Sequence, residues 1–381
     1  MQPQYSIVAF SHLRWNFVYQ RPQHLLSRLA AKRRVFFVEE PEFDPSGSLR
    51  WERSEPQSNL VVLRPRTPVQ TLGFDAEQLP ALEPLIRELA NELEGSTVVA
   101  WLYTPMALPL AQALSPAAVV YDCMDELSLF LGAPPELLSR EAALLECADL
   151  MFTGGPSLFR AKQARHPNVH CFPSSVDAAH FRVGHAGERP GVAEAEDQAQ
   201  LPHPRLGFYG VIDERLDLPL IDFIAQAHAE WQIVLVGPVV KIDPATLPRR
   251  PNIHYYGQCS YHDLPGYLAG WDVCLLPFAR NDATRFISPT KTLEYMAAER
   301  PIVSTPITDV AEPYGDIVYL GGTPEEFLAG CEAALAAGPE ERAGRAAQMR
   351  RVLAGTSWDV TVSAMEKLLA ASVAKKAAVP A

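Results

Sequence analysis

The sequence has no closely spaced cysteine pair. Its six cysteines stand at 123, 147, 171, 259, 274 and 331, several inside apolar runs such as Val273-Cys274-Leu275. This argues against a zinc site or a secreted disulfide framework, and buried, reduced thiols are expected. Nor does any run approach the roughly 18–20 apolar residues that span a bilayer. The opening MQPQYSIVAF has no basic region followed by an apolar stretch, so no signal peptide is expected there. These absences predict a cytoplasmic protein, with peripheral docking at the inner face of a membrane left open. Positive charge is scarce, with 33 Lys and Arg against 45 Asp and Glu and a net charge of −12. Nucleic-acid partners are therefore excluded, because their affinity comes from a basic surface. An anionic small molecule is not excluded, since a few well-placed cations can hold it. Finally, no GxGxxG follows any predicted strand, which ranks a dinucleotide-dependent oxidoreductase last.

What is present reads as two α/β halves. A chain of 381 residues exceeds what one core usually serves. In the first half, Ser6–Ser11, Val35–Val38, Leu60–Leu63, Thr97–Leu102, Ala118–Tyr121, Leu150–Thr153 and Val169–Phe172 read as strands. Helices are predicted at Arg21–Arg34, Pro80–Leu93 and Pro135–Cys147. Strands this apolar, alternating with helices, predict a parallel sheet covered on both faces. Residues 183–204 are rich in Gly, Pro, Ala and acid, with almost nothing to bury. They are predicted to link an N-terminal domain, 1–182, to a C-terminal domain, 205–356. The second half repeats the pattern, with strands at Leu206–Tyr209, Trp231–Val236, Ile253–Tyr256, Val273–Pro277 and Pro301–Ser304. Helices are expected at Pro219–His228, His262–Ala269, Lys291–Ala298, Pro324–Ala337 and 339–354. Residues 357–381 are expected to form a last helix, packed back on the N-terminal domain, with Val360, Met365, Leu368 and Leu369 on its apolar side and a frayed tail.

In open α/β sheets ligands bind beyond the carboxyl ends of the strands, so the loops there carry the candidate chemistry. After VCLLP comes RNDATRFISPTKTLEYM. Ser288 as an N-cap and Pro289 just inside would start a helix whose N–H groups suit a phosphate. Lys291 and Arg285 can add charge, and Glu294 can accept bonds from ribose hydroxyls. The bland reading is a capped surface helix with solvated charges. In GVIDERLD, Arg215 can reach a diphosphate bidentately or pair with Asp213, Glu214 or Asp217. Gly237-Pro238 suits either close backbone approach to a ligand base or a tight turn.

Together the strings LGFYGVIDERLDLPLI, WQIVLVGP, NIHYYGQCSYHDLPGYLAGWDVCLLPF and SPTKTLEYMAAERPIVST resemble the donor half of GT-B glycosyltransferases, in particular glycosyltransferase family 4. The family's interdomain signature resembles Pro173-Ser174-Ser175-Val176-Asp177 with Phe181, and Ser357-Trp358 resembles the pair opening its final helix. The resemblance implies two Rossmann-like, doubly wound α/β domains facing across a cleft. It implies that Gly210, Arg215 and Lys291 contact the diphosphate of a UDP- or GDP-sugar and that Glu294 contacts the ribose, with Gly237, Arg285 and Ser288 completing the donor site. The sequence departs from the pattern at Phe286, where the family has a Glu, and at Val211, where it has an Arg; the loop around Arg215 is also a residue short.

WNFVYQRPQH and VVYDCMDELSLF in the first half resemble bacterial cell-surface polysaccharide transferases of the teichuronic-acid type. That implies a glycan or lipid-linked acceptor, and the resemblance to family 4 implies transfer with retention. Asp125 and His12 are the candidate catalytic groups, while Trp15, Arg21, His24 and Asp122 are candidates for the acceptor cleft; Trp15 and Trp101 can stack on sugar rings or pack in the core. There is no Asp-X-Asp motif, the nearest mimic being Glu194 and Glu196, so neither a metal nor another cofactor is expected. Two alternatives stay open. One is a sugar-nucleotide epimerase using Asp122 and Asp125, and the other is a non-catalytic sugar-nucleotide-binding subunit.

Overall fold

The computed structural model describes residues 5–184 and 192–377. The chain forms two units. The first takes the residues up to Ser128, Gly132–Pro173 and the helix from Trp358 onward; the second takes Leu129–Leu131 and Ser174–Ser357.

In chain order the first unit contains β1 (Tyr5–Ser11), α1 (Arg21–Ala30), β2 (Val35–Glu39), β3 (Glu42–Phe43), β4 (Arg50–Gln57), β5 (Leu60–Thr67) and α2 (Gln78–Glu92). It continues with β6 (Thr97–Leu102), α3 (Leu108–Ala113), β7 (Ala118–Cys123), α4 (Leu137–Cys147), β8 (Leu150–Thr153), α5 (Pro156–Lys162) and β9 (Val169–Cys171). Among the described residues these strands make a nine-stranded sheet, ordered β3-β5-β2-β1-β6-β7-β8-β9 with β4 on β5. β1 lies parallel between β2 and β6. Its seven residues are all buried, as expected for a strand covered by helices on both faces. β4 (RWERSEPQ) had no apolar alternation to betray it. It pairs antiparallel with β5, and Arg66 pairs with both Glu42 and Glu52.

The second unit contains β10 (Arg205–Tyr209), α6 (Leu218–Ala227), β11 (Gln232–Val236), β12 (Ile253–Tyr255), α7 (Leu264–Ala269), β13 (Val273–Leu276), α8 (Lys291–Ala297) and β14 (Ile302–Ser304). Then follow α9 (Thr308–Tyr314), β15 (Tyr319–Leu320), α10 (Pro324–Ala336) and α11 (Pro339–Ala354). Its six described strands run β12-β11-β10-β13-β14-β15, all parallel. Connections leave β10 toward β11 and return across it to β13. The order reverses there, and that is where an open sheet holds its ligand. The expected doubly wound α/β fold is what the chain forms in both units.

Two expectations about boundaries are corrected. The chain passes from one unit to the other at Pro173–Ser174, not within 183–204. Val176, Phe181 and Val183 lie in the second unit's core. Residues 192–204 also belong to that unit: Gln198 is fully buried, accepting from the Trp271 indole N–H (3.0 Å) and donating to the Tyr267 carbonyl (2.9 Å). Arg205 closes an ion pair with Glu194. Composition missed this because polar groups, among them Gln198 and Asp197, secure much of the segment, with only Ala195 and Leu201 among its described residues adding apolar contact to the core. Residues 185–191 of the expected linker lie outside the described residues, as do 378–381 of the expected frayed tail.

The last helix, α12 (Trp358–Ala377), belongs to the first unit. Trp358, Val362, Met365, Leu369 and Val373 join its core at the three- and four-residue spacing of one helical face. Val360, expected on that face, is exposed; the stripe runs through Trp358 and Val362 instead. Arg28 pairs with Asp359, and Glu366 with Lys32 and Arg33.

Candidate active site

The second unit gathers a compact set of groups where its strand order reverses. β10 and β11 are paired in register up to Tyr209 and Val236, and each ends in a glycine: Gly210 at φ +139° and Gly237 at φ +146°. A side chain on either is barred twice, by conformation and by space. A Cβ on Gly237 would overlap the Gly210 carbonyl oxygen, and one on Gly210 would lie 2.7 Å from Lys291 Nζ. The Lys291 side chain thus lies against the Gly210 backbone, its ammonium 5.6 Å from the centre of the buried Phe208 ring.

One turn into α8, Glu294 is buried, and its Oε2 accepts a 2.6 Å hydrogen bond from the Tyr209 hydroxyl. Burial raises the Glu294 carboxyl above its ordinary value, against the opposing pull of the Tyr209 hydrogen bond and the Lys291 charge. Tyr209 is itself oriented from behind, with its backbone N–H 3.3 Å from the Tyr295 hydroxyl that accepts it. The result is a cation and a carboxylate on successive turns of one helix, beside two side-chain-free strand ends. Such an arrangement can seat a phosphate and a hydroxylated ring side by side.

The other donor candidates fall out differently. Arg215 grips Asp213 within its own loop, Nε at 3.0 and 3.1 Å and Nη2 at 2.7 Å. Arg285 is exposed and lies over its neighbour Phe286, 5.1 Å from the ring centre. Ser288 is not the helix cap: α8 begins at Lys291, after Thr290, with no side-chain cap. The residues before it form a turn whose Ser288 carbonyl accepts from the Ser174 hydroxyl at 3.1 Å. Neither Tyr209 nor Ser174 is a donor-site candidate from the sequence, although Tyr209 stands directly before Gly210 and Ser174 lies within the interdomain signature.

In the first unit the expected cleft residues are buried. Trp15 is buried in the core, edge-on to Phe37 at 5.1 Å, with its backbone N–H on Glu39 Oε1 (2.7 Å). Arg21 and Asp122 are buried together, linked by bonds of 2.8 to 3.1 Å, and Arg21 also reaches the Phe172 carbonyl at 2.7 Å. His24 is buried and stacked on Trp358, centroids 4.6 Å apart and planes 9° off parallel; Trp101 is wholly buried. Each of these side chains is packed against partners inside the unit, which gives it a structural role there. Asp122 is paired with Arg21 in a buried ion pair.

His12 and Asp125 remain half-buried on the loops after β1 and β7. The Asp125 loop has a support that the sequence did not reveal. Lys162, fully buried, pairs with Glu126 and Glu141 at 2.6 Å each, while Glu141 also holds Arg165 (2.8 Å) and the Tyr121 hydroxyl (3.0 Å).

Two doubly wound sheets, the second with a lysine and a glutamate against its glycine-ended strands, make up the GT-B fold. Residues 203–337 match the family described as Glycosyl transferases group 1, and the chain carries that domain in its second unit. It is 25% identical over 296 residues, 72% of each chain, to a protein of Bacillus subtilis strain 168 provisionally named a teichuronic acid biosynthesis glycosyltransferase, TuaH. In fold it is similar to sucrose-phosphate synthase from Thermosynechococcus elongatus, with a TM-score of 0.71, 14% identity, and 96% of this chain and 98% of that one covered. It is also similar to Anabaena HepE, solved in complex with UDP and glucose, with a TM-score of 0.69, 12% identity, and 97% and 100% covered. Among the described residues no helix is long and apolar enough to cross a membrane.

Proposed function

We propose that the enzyme transfers a sugar from a UDP- or GDP-sugar bound in its second unit to a glycan or lipid-linked acceptor in cell-surface polysaccharide synthesis. The observation that carries this reading is Lys291 lying against Gly210, with Glu294 one turn further on. In this reading Lys291 meets the diphosphate, and Glu294, oriented by Tyr209, accepts from the ribose hydroxyls. Negative charge grows on the diphosphate as the sugar leaves, so a cation already in position lowers the barrier without rearranging. Arg215 turns from Asp213 to the diphosphate, or acts through it by holding the loop. The name of the Bacillus relative, which refers to teichuronic acid biosynthesis, supports this choice of acceptor. On the first unit, Asp125 and His12 act at the acceptor hydroxyl, peripheral contact with the membrane brings a lipid-linked acceptor within reach, and transfer proceeds with retention. No metal or further cofactor takes part.

A screen of thermal stabilisation with UDP, GDP, ADP and dTDP, followed by turnover of the matching sugar nucleotides with glycan acceptors, tests this. A nucleotide at about 100 times its dissociation constant adds about 2.7 kcal/mol. At about 2–4 °C per kcal/mol, that raises the melting temperature by about 5–10 °C. Stabilisation without turnover on any acceptor would point to a binding subunit. Transfer abolished by EDTA and restored by Mg²⁺ would defeat the metal-free mechanism.

A further inference from the structure

The chain enters the second unit at Ser174, and this residue is tied directly to the turn in front of Lys291. Its hydroxyl donates to the Ser288 carbonyl at 3.1 Å and accepts from the Thr290 hydroxyl at 3.1 Å, so one side chain brackets Pro289 from both sides. The helix that follows is seven residues long and has no side-chain cap of its own. A start so short is held by few local bonds. Whatever fixes the turn therefore fixes the base of the Lys291 side chain.

The same stretch of chain touches the other half of the grip. Val176 and Phe181 are buried in the second unit's core. The Phe181 ring lies 6.4 Å from the Tyr209 ring and 13° off parallel, and it is the Tyr209 hydroxyl that binds Glu294. Residues 174–181 thus support both the turn ahead of Lys291 and the tyrosine that orients Glu294.

We infer that Ser174 is a positioning residue for the donor site, its hydroxyl setting the turn that aims Lys291 across Gly210. Donor affinity then depends on the seating of the segment by which the chain enters the unit. The inference rests on the donor reading above, and the experiment separates the two.

Titration calorimetry with UDP and GDP is run on the wild type, Ser174→Ala and Ser174→Thr, with melting temperatures measured without nucleotide. For the nucleotide that the wild type binds, Ser174→Ala is expected to raise Kd about five- to tenfold, the net effect of one to two lost hydrogen bonds, and to raise the donor KM in step. Its unliganded melting temperature is expected to fall by no more than about 6 °C, since one to two hydrogen bonds are a small part of what holds the unit together. Ser174→Thr keeps the hydroxyl and is expected to bind within about twofold of wild type. Wild-type binding with an unchanged Kd in Ser174→Ala overturns the positioning role and leaves the donor reading standing. So does equal weakening in both variants, because packing and not the hydroxyl would then be responsible. A wild type that binds neither nucleotide removes the donor reading itself.

Discussion

Replacing Lys291 by methionine isolates the charge on which the donor reading depends. Methionine keeps an unbranched stem against Gly210 and Phe208, so the packing that the lysine stem makes there is largely conserved while the ammonium is lost. A hydrogen bond to a charged group is worth about 1.5–3 kcal/mol net, and each 1.4 kcal/mol is about tenfold in affinity. The dissociation constant of the nucleoside diphosphate is therefore expected to rise about 10- to 150-fold. A second signature comes from Glu294. Burial holds its carboxyl above the ordinary value while the Tyr209 bond and the Lys291 charge pull it down. Without Lys291 that value rises further. If the ionised carboxylate is the form that accepts from the ribose, affinity is lost as pH falls through this value, and the loss begins at higher pH in the variant. The sign for stability is opposite. A carboxyl raised in the folded state destabilises as pH climbs from its unfolded to its folded value, and the variant extends that window upward. Calorimetric titrations of wild type and Lys291→Met between about pH 5 and pH 8 read both effects. An unchanged Kd, or a loss of affinity traced to unfolding of the unliganded variant, refutes the assignment.

Two further changes test the frame around the site. Gly237→Ala places a methyl group on the Gly210 carbonyl at a φ of +146°. It is expected to cost about 1–3 kcal/mol in strain alone and to weaken nucleotide binding, whereas Gly344→Ala, in open space on α11, is expected to stabilise by up to about 1 kcal/mol; equal melting temperatures for the two would contradict the close strand approach. Lys162→Met leaves the buried Glu141 without its nearest cation and is expected to cost about 3–5 kcal/mol, read by urea denaturation. Burial alone would raise Glu141, but Lys162, Arg165 and Tyr121 hold it below its ordinary value. Its contribution is present above the unfolded value and lost as pH falls through the folded one. The acid limb of the stability curve should flatten in Lys162→Met, and an unchanged limb would show that the network adds nothing.

Much of the architecture could be read without coordinates. Buried parallel strands announce themselves as short apolar runs because both faces are covered, and SIVAFS, TVVAWL and QIVLV are such runs. Elements held by other means stayed hidden. β4 is a polar strand held by pairing and charge, and the 192–204 segment is anchored by the buried Gln198. In the candidate site, the places of Gly210, Gly237, Lys291 and Glu294 in the fold were legible because they sit where strands end and a helix begins. Ser288 was misread as a cap because the bond that shapes its turn comes from Ser174, 114 residues earlier.

The sequence alone determined that there are two doubly wound units and which strand-end loops carry usable chemistry, because periodicity and local turn residues act over a few positions. Only the tertiary structure decided which polar residues are buried against partners. Arg21, Asp122, His24 and Trp15 look alike in a string to residues that serve a ligand, yet each is buried against a partner distant in the chain. Long-range pairing assigns a charge or a ring to structure or to function, and nothing in the neighbouring letters encodes it.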